Sequence, residues 1–149
     1  MTTNIGRITM RGKTGSFRKA AAVGMLILAA TTVSMPVASA AEVRGRAACV
    51  STLEKAQSLN KKALEADGHH RPRTAFDYNR KTWTAIRDAQ HRDCRGVRDE
   101  REIRHRLDSI ADDVKTAERH NHYGRARKAM PYEEDVWAGI RRVLSLVTH

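Results

Sequence analysis

The sequence predicts an all-α fold, a small four-helix domain made of two tandem helical hairpins, and three observations carry that prediction. Apolar residues recur at three- and four-residue steps in four segments. No segment alternates apolar and polar residues as a half-buried strand does. Sliding the chain against itself by 54 residues brings seven of the seventeen positions from 71 to 87 into identity: Arg71, Arg73, Ala75, Tyr78, Trp83, Ile86 and Arg87 meet Arg125, Arg127, Ala129, Tyr132, Trp137, Ile140 and Arg141. Ordinary residue frequencies give about one or two matches over such a window, so an internal duplication is the better account.

The first helix is expected from about Ala47 to Ala66, with Cys49, Leu53, Ala56, Asn60 and Ala63 on one stripe and Asp67-Gly68 as its stop. The second opens at Pro72, a favourable first-turn residue, and carries Ala75, Phe76, Trp83 and Ile86 to about Arg92. The third runs from about Val97 to His120 through Ile103, Leu107, Ile110, Val114 and Ala117. The fourth starts at Pro131 or a few residues earlier and buries Val136, Trp137, Ile140, Val143, Leu144 and Val147. The hairpins thus span about 47–92 and 97–147. Tyr78, Ala75, Ile86 and Trp83 fall within an arc of roughly 140° on a helical wheel, so the matched aromatic residues, both tryptophans included, are expected in the core between the hairpins.

Residues 1–41 read as a secretory signal peptide. Arg7, Arg11, Lys13, Arg18 and Lys19 precede an apolar run from Ala20 to about Val33, and Pro36 is followed by small residues at Ala38 and Ala40 that fit an A-x-A cleavage pattern. The run is shorter than the ~20 apolar residues of a spanning helix and contains Thr31, Thr32 and Ser34, so a retained membrane anchor is disfavoured. Cleavage after Ala40 or Ala41 would leave residues 42–149, outside the cytoplasm, with no transmembrane segment. All 17 acidic residues and 23 of the 28 basic ones lie there, giving a net charge of +6 against +11 for the whole chain. A basic exported domain is drawn to acidic polymers, anionic surfaces or acidic proteins. Arginine supplies 20 of the basic residues, which favours bidentate and stacked contacts.

The only two cysteines, Cys49 and Cys94, fall at the open end of the first hairpin if it turns near residues 67–72. An even cysteine count in an exported chain predicts a disulfide, and closing that loop is worth about 4 kcal/mol on the chain-entropy account. There is no C-x-x-C, and no Cys/His pair at ligand spacing apart from His91 with Cys94, to favour redox or metal chemistry. The 54-residue offset places Ile103 and Thr148 opposite the cysteines, so the second hairpin is expected to rely on packing.

Chemistry concentrates in the two connecting loops. The first reads Asp67-Gly68-His69-His70-Arg71-Pro72-Arg73 and the second His120-Asn121-His122-Tyr123-Gly124-Arg125-Ala126-Arg127-Lys128. Basic side chains at helix N-termini oppose the macrodipole, and a cost repeated in both units points to a use. Free backbone N–H groups at the starts of helices two and four, reinforced by Arg71, Arg73, Arg125, Arg127 and Lys128, are expected to receive phosphate or carboxylate groups. His69, His70, His120 and His122 are expected to strengthen that attraction below about pH 6.5. The alternatives are a solvated basic surface on a structural or protein-interaction domain, and a small secreted enzyme without a recognisable motif.

Catalysis is not expected. The chain has no G-x-S-x-G, H-E-x-x-H or glycine-rich phosphate loop, no metal-ligand set, no cofactor motif and no motif for specific nucleic-acid recognition. His105, Ser109 and Asp112 form a row on helix three of the kind exposed helix faces produce routinely. Glu133-Glu134-Asp135 is read as a first-turn complement to the dipole of helix four.

Overall fold

The computed structural model describes residues 40–149; the expected signal sequence up to residue 39, with its cleavage pattern at Ala38, lies outside the described residues. Four α-helices follow one another: α1 Ala40–Gly68, α2 Pro72–Asp88, α3 Glu100–His122 and α4 Ala126–Thr148. Among the described residues there is no strand. Each helix packs against its neighbour in the chain and α4 returns against α1, which makes an up-down-up-down bundle. This closed arrangement differs from a side-by-side stack of hairpins. Both buried stripes turn inward to one shared core instead of leaving a face open for a further unit.

That core is aliphatic. Leu53, Ile86, Ile103, Leu107, Val114, Val136, Ile140 and Val143 are its fully buried large apolar side chains, interleaved with Ala56, Ala63, Ala75, Ala117 and Ala129. Alanine at these steps lets the helices approach closely. One contact is tighter still: a Cβ on Gly139 of α4 would lie 2.7 Å from Ile110 Cγ1 of α3. Trp83 and Trp137, expected inside, are only half-buried. The space between close-packed small residues has no room for an indole, so Trp83 lies along the edge of the core with Lys115 Nζ 4.4 Å from its ring centre.

Helix boundaries move in instructive ways. Helix α1 begins at Ala40 and continues through Asp67 to Gly68. The Asp67-Gly68 pair therefore does not stop the helix before Asp67. Pro131 lies inside α4, which starts at Ala126. The expected second helix is divided, since α2 ends at Asp88 and a π-helical turn occupies Ala89–Asp93. The Cys94 N–H closes that turn on the Ala89 carbonyl at 2.9 Å. One extra residue per turn re-aims the chain at this point. Cys94 reaches Cys49 in a disulfide, with Cα atoms 4.6 Å apart, and Thr52 Oγ1 donates to Asp93 Oδ2 at 2.7 Å beside it.

Candidate functional site

The two turns at one end of the bundle are built by the same hydrogen bonds. In the first, Arg71 N–H donates to the Ala66 carbonyl at 2.8 Å and His70 N–H to that of Asp67 at 3.0 Å. In the second, Arg125 N–H donates to His120 at 2.9 Å and Gly124 N–H to Asn121 at 3.0 Å. This is the Schellman pattern, which needs a left-handed residue just past the helix. Gly124 adopts it at φ 69° without strain, and His70 adopts it at φ 56° as a non-glycine residue.

Arg71 and Arg125 are then the residues that precede α2 and α4, and no side chain caps either helix. Neither first turn contains an acidic residue. Arg73 and Arg127 follow in those first turns, exposed, as is Lys128. The turns come together: His70 from the first and Arg125, Arg127 and Lys128 from the second line one shallow hollow of about 390 Å³ with Gly124 and Ala126. The uncapped start of α4 and three cations border the same space.

Of the four histidines, His70 alone lines that hollow. His120 and His122 belong to the last turn of α3, not to a loop. His120 stacks on Tyr132 of α4 with ring centres 5.6 Å apart, whereas His122 lies 5.6 Å from Phe76 and 5.1 Å from Tyr123. His69 is exposed in the turn and, like Arg71 and Arg73, does not line the hollow.

Beneath the turns lies a polar group that reading the loops alone misses. Asp67, Asn79, Asn121 and Glu133 are each at most 1 % exposed, and Asn60 is buried with them. Asn79 Nδ2 donates to Glu133 Oε1 at 2.7 Å, Asn121 Nδ2 to the same oxygen at 3.1 Å, and Asn60 Nδ2 to the Glu133 carbonyl at 2.8 Å. Glu133 is thus a buried hub and not an exposed dipole complement. Burial pushes its carboxyl up to about 8, opposed by the Asn79 hydrogen bond and assisted by the nearby Asp67. Burial also raises Asp67, with Asn121 and Glu133 beside it pulling the other way. The signal for these residues was periodic: Asp67 continues Leu53, Ala56, Asn60 and Ala63, and Glu133 falls between Ala129 and Val136, on the core steps of their helices.

A second hollow, of about 360 Å³, opens between α3 and α4 and contains His105, Ser109, Asp113, Asp135 and Arg142. Burial raises the Asp113 carboxyl, and the negative charges of Asp135 and Asp112 add to the effect. Asp113, not Asp112, shares this hollow with His105 and Ser109. No hydrogen bond links His105, Ser109 and either aspartate among the described residues, so the row has no relay geometry.

Among the described residues, no group of three or more His, Cys, Asp and Glu is arranged to hold a metal ion, and no helix is long and apolar enough to cross a membrane. The disulfide fits an oxidising compartment. Compared with known protein families, curated proteins and solved structures, the chain matches none.

Proposed function

We propose that the protein is an exported, basic helical binding module that engages an acidic polymer or an acidic protein partner through its paired turns. The observation that carries this reading is the hollow shared by His70, Arg125, Arg127 and Lys128 at the uncapped start of α4. Backbone N–H groups at a helix start and flanking cations are complementary to phosphate or carboxylate. Arg71 and Arg73 extend the positive surface along the neighbouring turn, and Tyr123, 63 % exposed with Arg125 5.5 Å from its ring centre, offers a flat contact at the rim. No catalytic role is assigned to any residue.

The test uses inorganic polyphosphate and poly-glutamate as probes, with fluorescence anisotropy at two salt concentrations. Replacing Arg71, Arg73, Arg125 and Arg127 together by Gln is expected to weaken binding at least tenfold, and wild-type affinity is expected to fall steeply with salt. The fold should survive, because all four side chains are exposed. Equal binding of both probes by the quadruple variant and the wild type would sink the proposal.

A further inference from the structure

The buried polar group has acceptors without donors. Asn60 Oδ1, both Asp67 carboxylate oxygens, Asn79 Oδ1, Asn121 Oδ1 and Glu133 Oε2 are buried and lack a hydrogen-bond partner. Buried polar atoms are ordinarily satisfied, and six orphans of one kind in one place demand a positive or donating species. The chain supplies no cation there, since the buried polar residues are Asn60, Asp67, Asn79, Thr82, Gln90, Asn121 and Glu133, with no lysine, arginine or histidine among them, and the donor it can add is a carboxyl proton shared between the neighbouring Asp67 and Glu133.

Helix direction explains the convergence. Cα–Cβ bonds lean toward a helix N-terminus, so Asp67 and Asn121, near the ends of α1 and α3, lean away from the turns. Asn79 and Glu133, two turns into α2 and α4, lean toward them. The four side chains therefore meet in one layer of the core, each from a different helix.

Two protons would neutralise both carboxyls yet provide only two donors. One divalent cation would neutralise the pair and also take up the carboxamide oxygens. The available atoms are oxygens only, which selects a hard cation over zinc or copper. Calcium accepts six to eight oxygens with flexible geometry, whereas magnesium gives up its water reluctantly. We propose that Asp67, Asn79, Asn121 and Glu133, with Asn60 beside them, form an interior site for a calcium-class divalent cation. This site is separate from the anion-binding reading and does not depend on it. Its route in is the turn end, where the last turns of α1 and α3 must open by only a few residues.

The experiment is thermal unfolding of protein expressed from the full chain, stripped with chelator at about pH 8 and then given millimolar calcium, magnesium or sodium at matched ionic strength. Around the site, α1 and α4 contribute the titrating groups Asp67 and Glu133, α2 and α3 contribute the neutral Asn79 and Asn121, and the half-buried His120 lies beside Tyr132. Calcium is expected to raise Tm by about 5 °C or more, and magnesium and sodium to do less. Asp67→Asn and Glu133→Gln keep the shape and relieve buried charge. Both variants should be at least as stable as wild type in chelator and should lose the calcium response. A wild-type midpoint unmoved by calcium would mean that a proton or buried water satisfies the group, and overturns the proposal. A calcium shift that persists in both variants would place the ion on surface carboxylates and overturn it equally, as would equal shifts with magnesium.

Discussion

The two hairpins reach the same turn through different residues, and the differences compensate one another. His70 stands where Gly124 does in the second turn, both left-handed. Asp67 and Asn79 of the first hairpin correspond to Asn121 and Glu133 of the second at the 54-residue spacing, so acid and amide have exchanged places. The acid carried by α4 is thereby met by amides from both α2 and α3. Ala56 and Ala85 of the first hairpin correspond to Ile110 and Gly139, where a larger residue on one helix faces none at all on the other. Such pairs show that position within the bundle, more than residue identity, is what the two halves share.

The largest asymmetry is covalent, because the disulfide clasps only the first hairpin. Replacing both Cys49 and Cys94 by Ser should cost about 4 kcal/mol in denaturant unfolding, measured under the same oxidising conditions as wild type. A loss below about 1 kcal/mol would mean that packing holds both hairpins equally.

The exchanged acid should make stability fall as pH rises. Glu133 is raised from 4.5 to about 8 in the folded chain, so its protonated form is the one the fold favours. That contribution is fully present below about pH 4.5 and is lost as pH rises toward 8. The change in chelator should be on the order of 3 kcal/mol, and Glu133→Gln should flatten the profile across that window. A wild-type profile as flat as the variant's would show that the carboxyl reaches water.

The Ile110–Gly139 contact offers a sharper comparison. Gly139→Ala adds a Cβ 2.7 Å from Ile110 Cγ1, and the overpacking should outweigh the better helix propensity of alanine by about 1 kcal/mol. Combining it with Ile110→Ala recreates the pair found at Ala56 and Ala85. The double variant should lose less stability than the sum of the singles, and strict additivity in the cycle would refute the compensation. The smallest effect is expected at the first turn, where His70→Gly relieves a left-handed non-glycine backbone and should stabilise by about 0.5–1 kcal/mol. A loss would indicate that the imidazole makes a contact worth more than the strain.

Four helices, their order and the Cys49–Cys94 pairing were legible in the sequence, because apolar steps and cysteine placement are local signals of a global arrangement. The sequence of the basic turns was legible too, but their bounds were not: His120 and His122, read as loop residues, belong to α3 and lie against the rings of Tyr132, Phe76 and Tyr123. The half-buried tryptophans escaped because a helical wheel gives direction and not depth. Glu133 and Asp67 were hidden by their chemistry. A carboxylate near a helix end has an ordinary explanation in the dipole or in a stop signal, and only its place on the core steps distinguishes it.

The arginines that make the turns basic also make them targets for a trypsin-like protease, and the disulfide decides what a cut there does. Pro72 shields the bond after Arg71, which leaves the bond after Arg73 as the target in the first turn. Cleavage there falls inside the ring closed by Cys49 and Cys94, so both fragments stay tethered and can hold the bundle together. Cleavage after Arg125 falls outside it and releases α4, together with Glu133 and the whole core stripe from Ala129 to Val147. Two similar peptide bonds at one end of the molecule thus differ in consequence: one nick is survivable and the other is terminal.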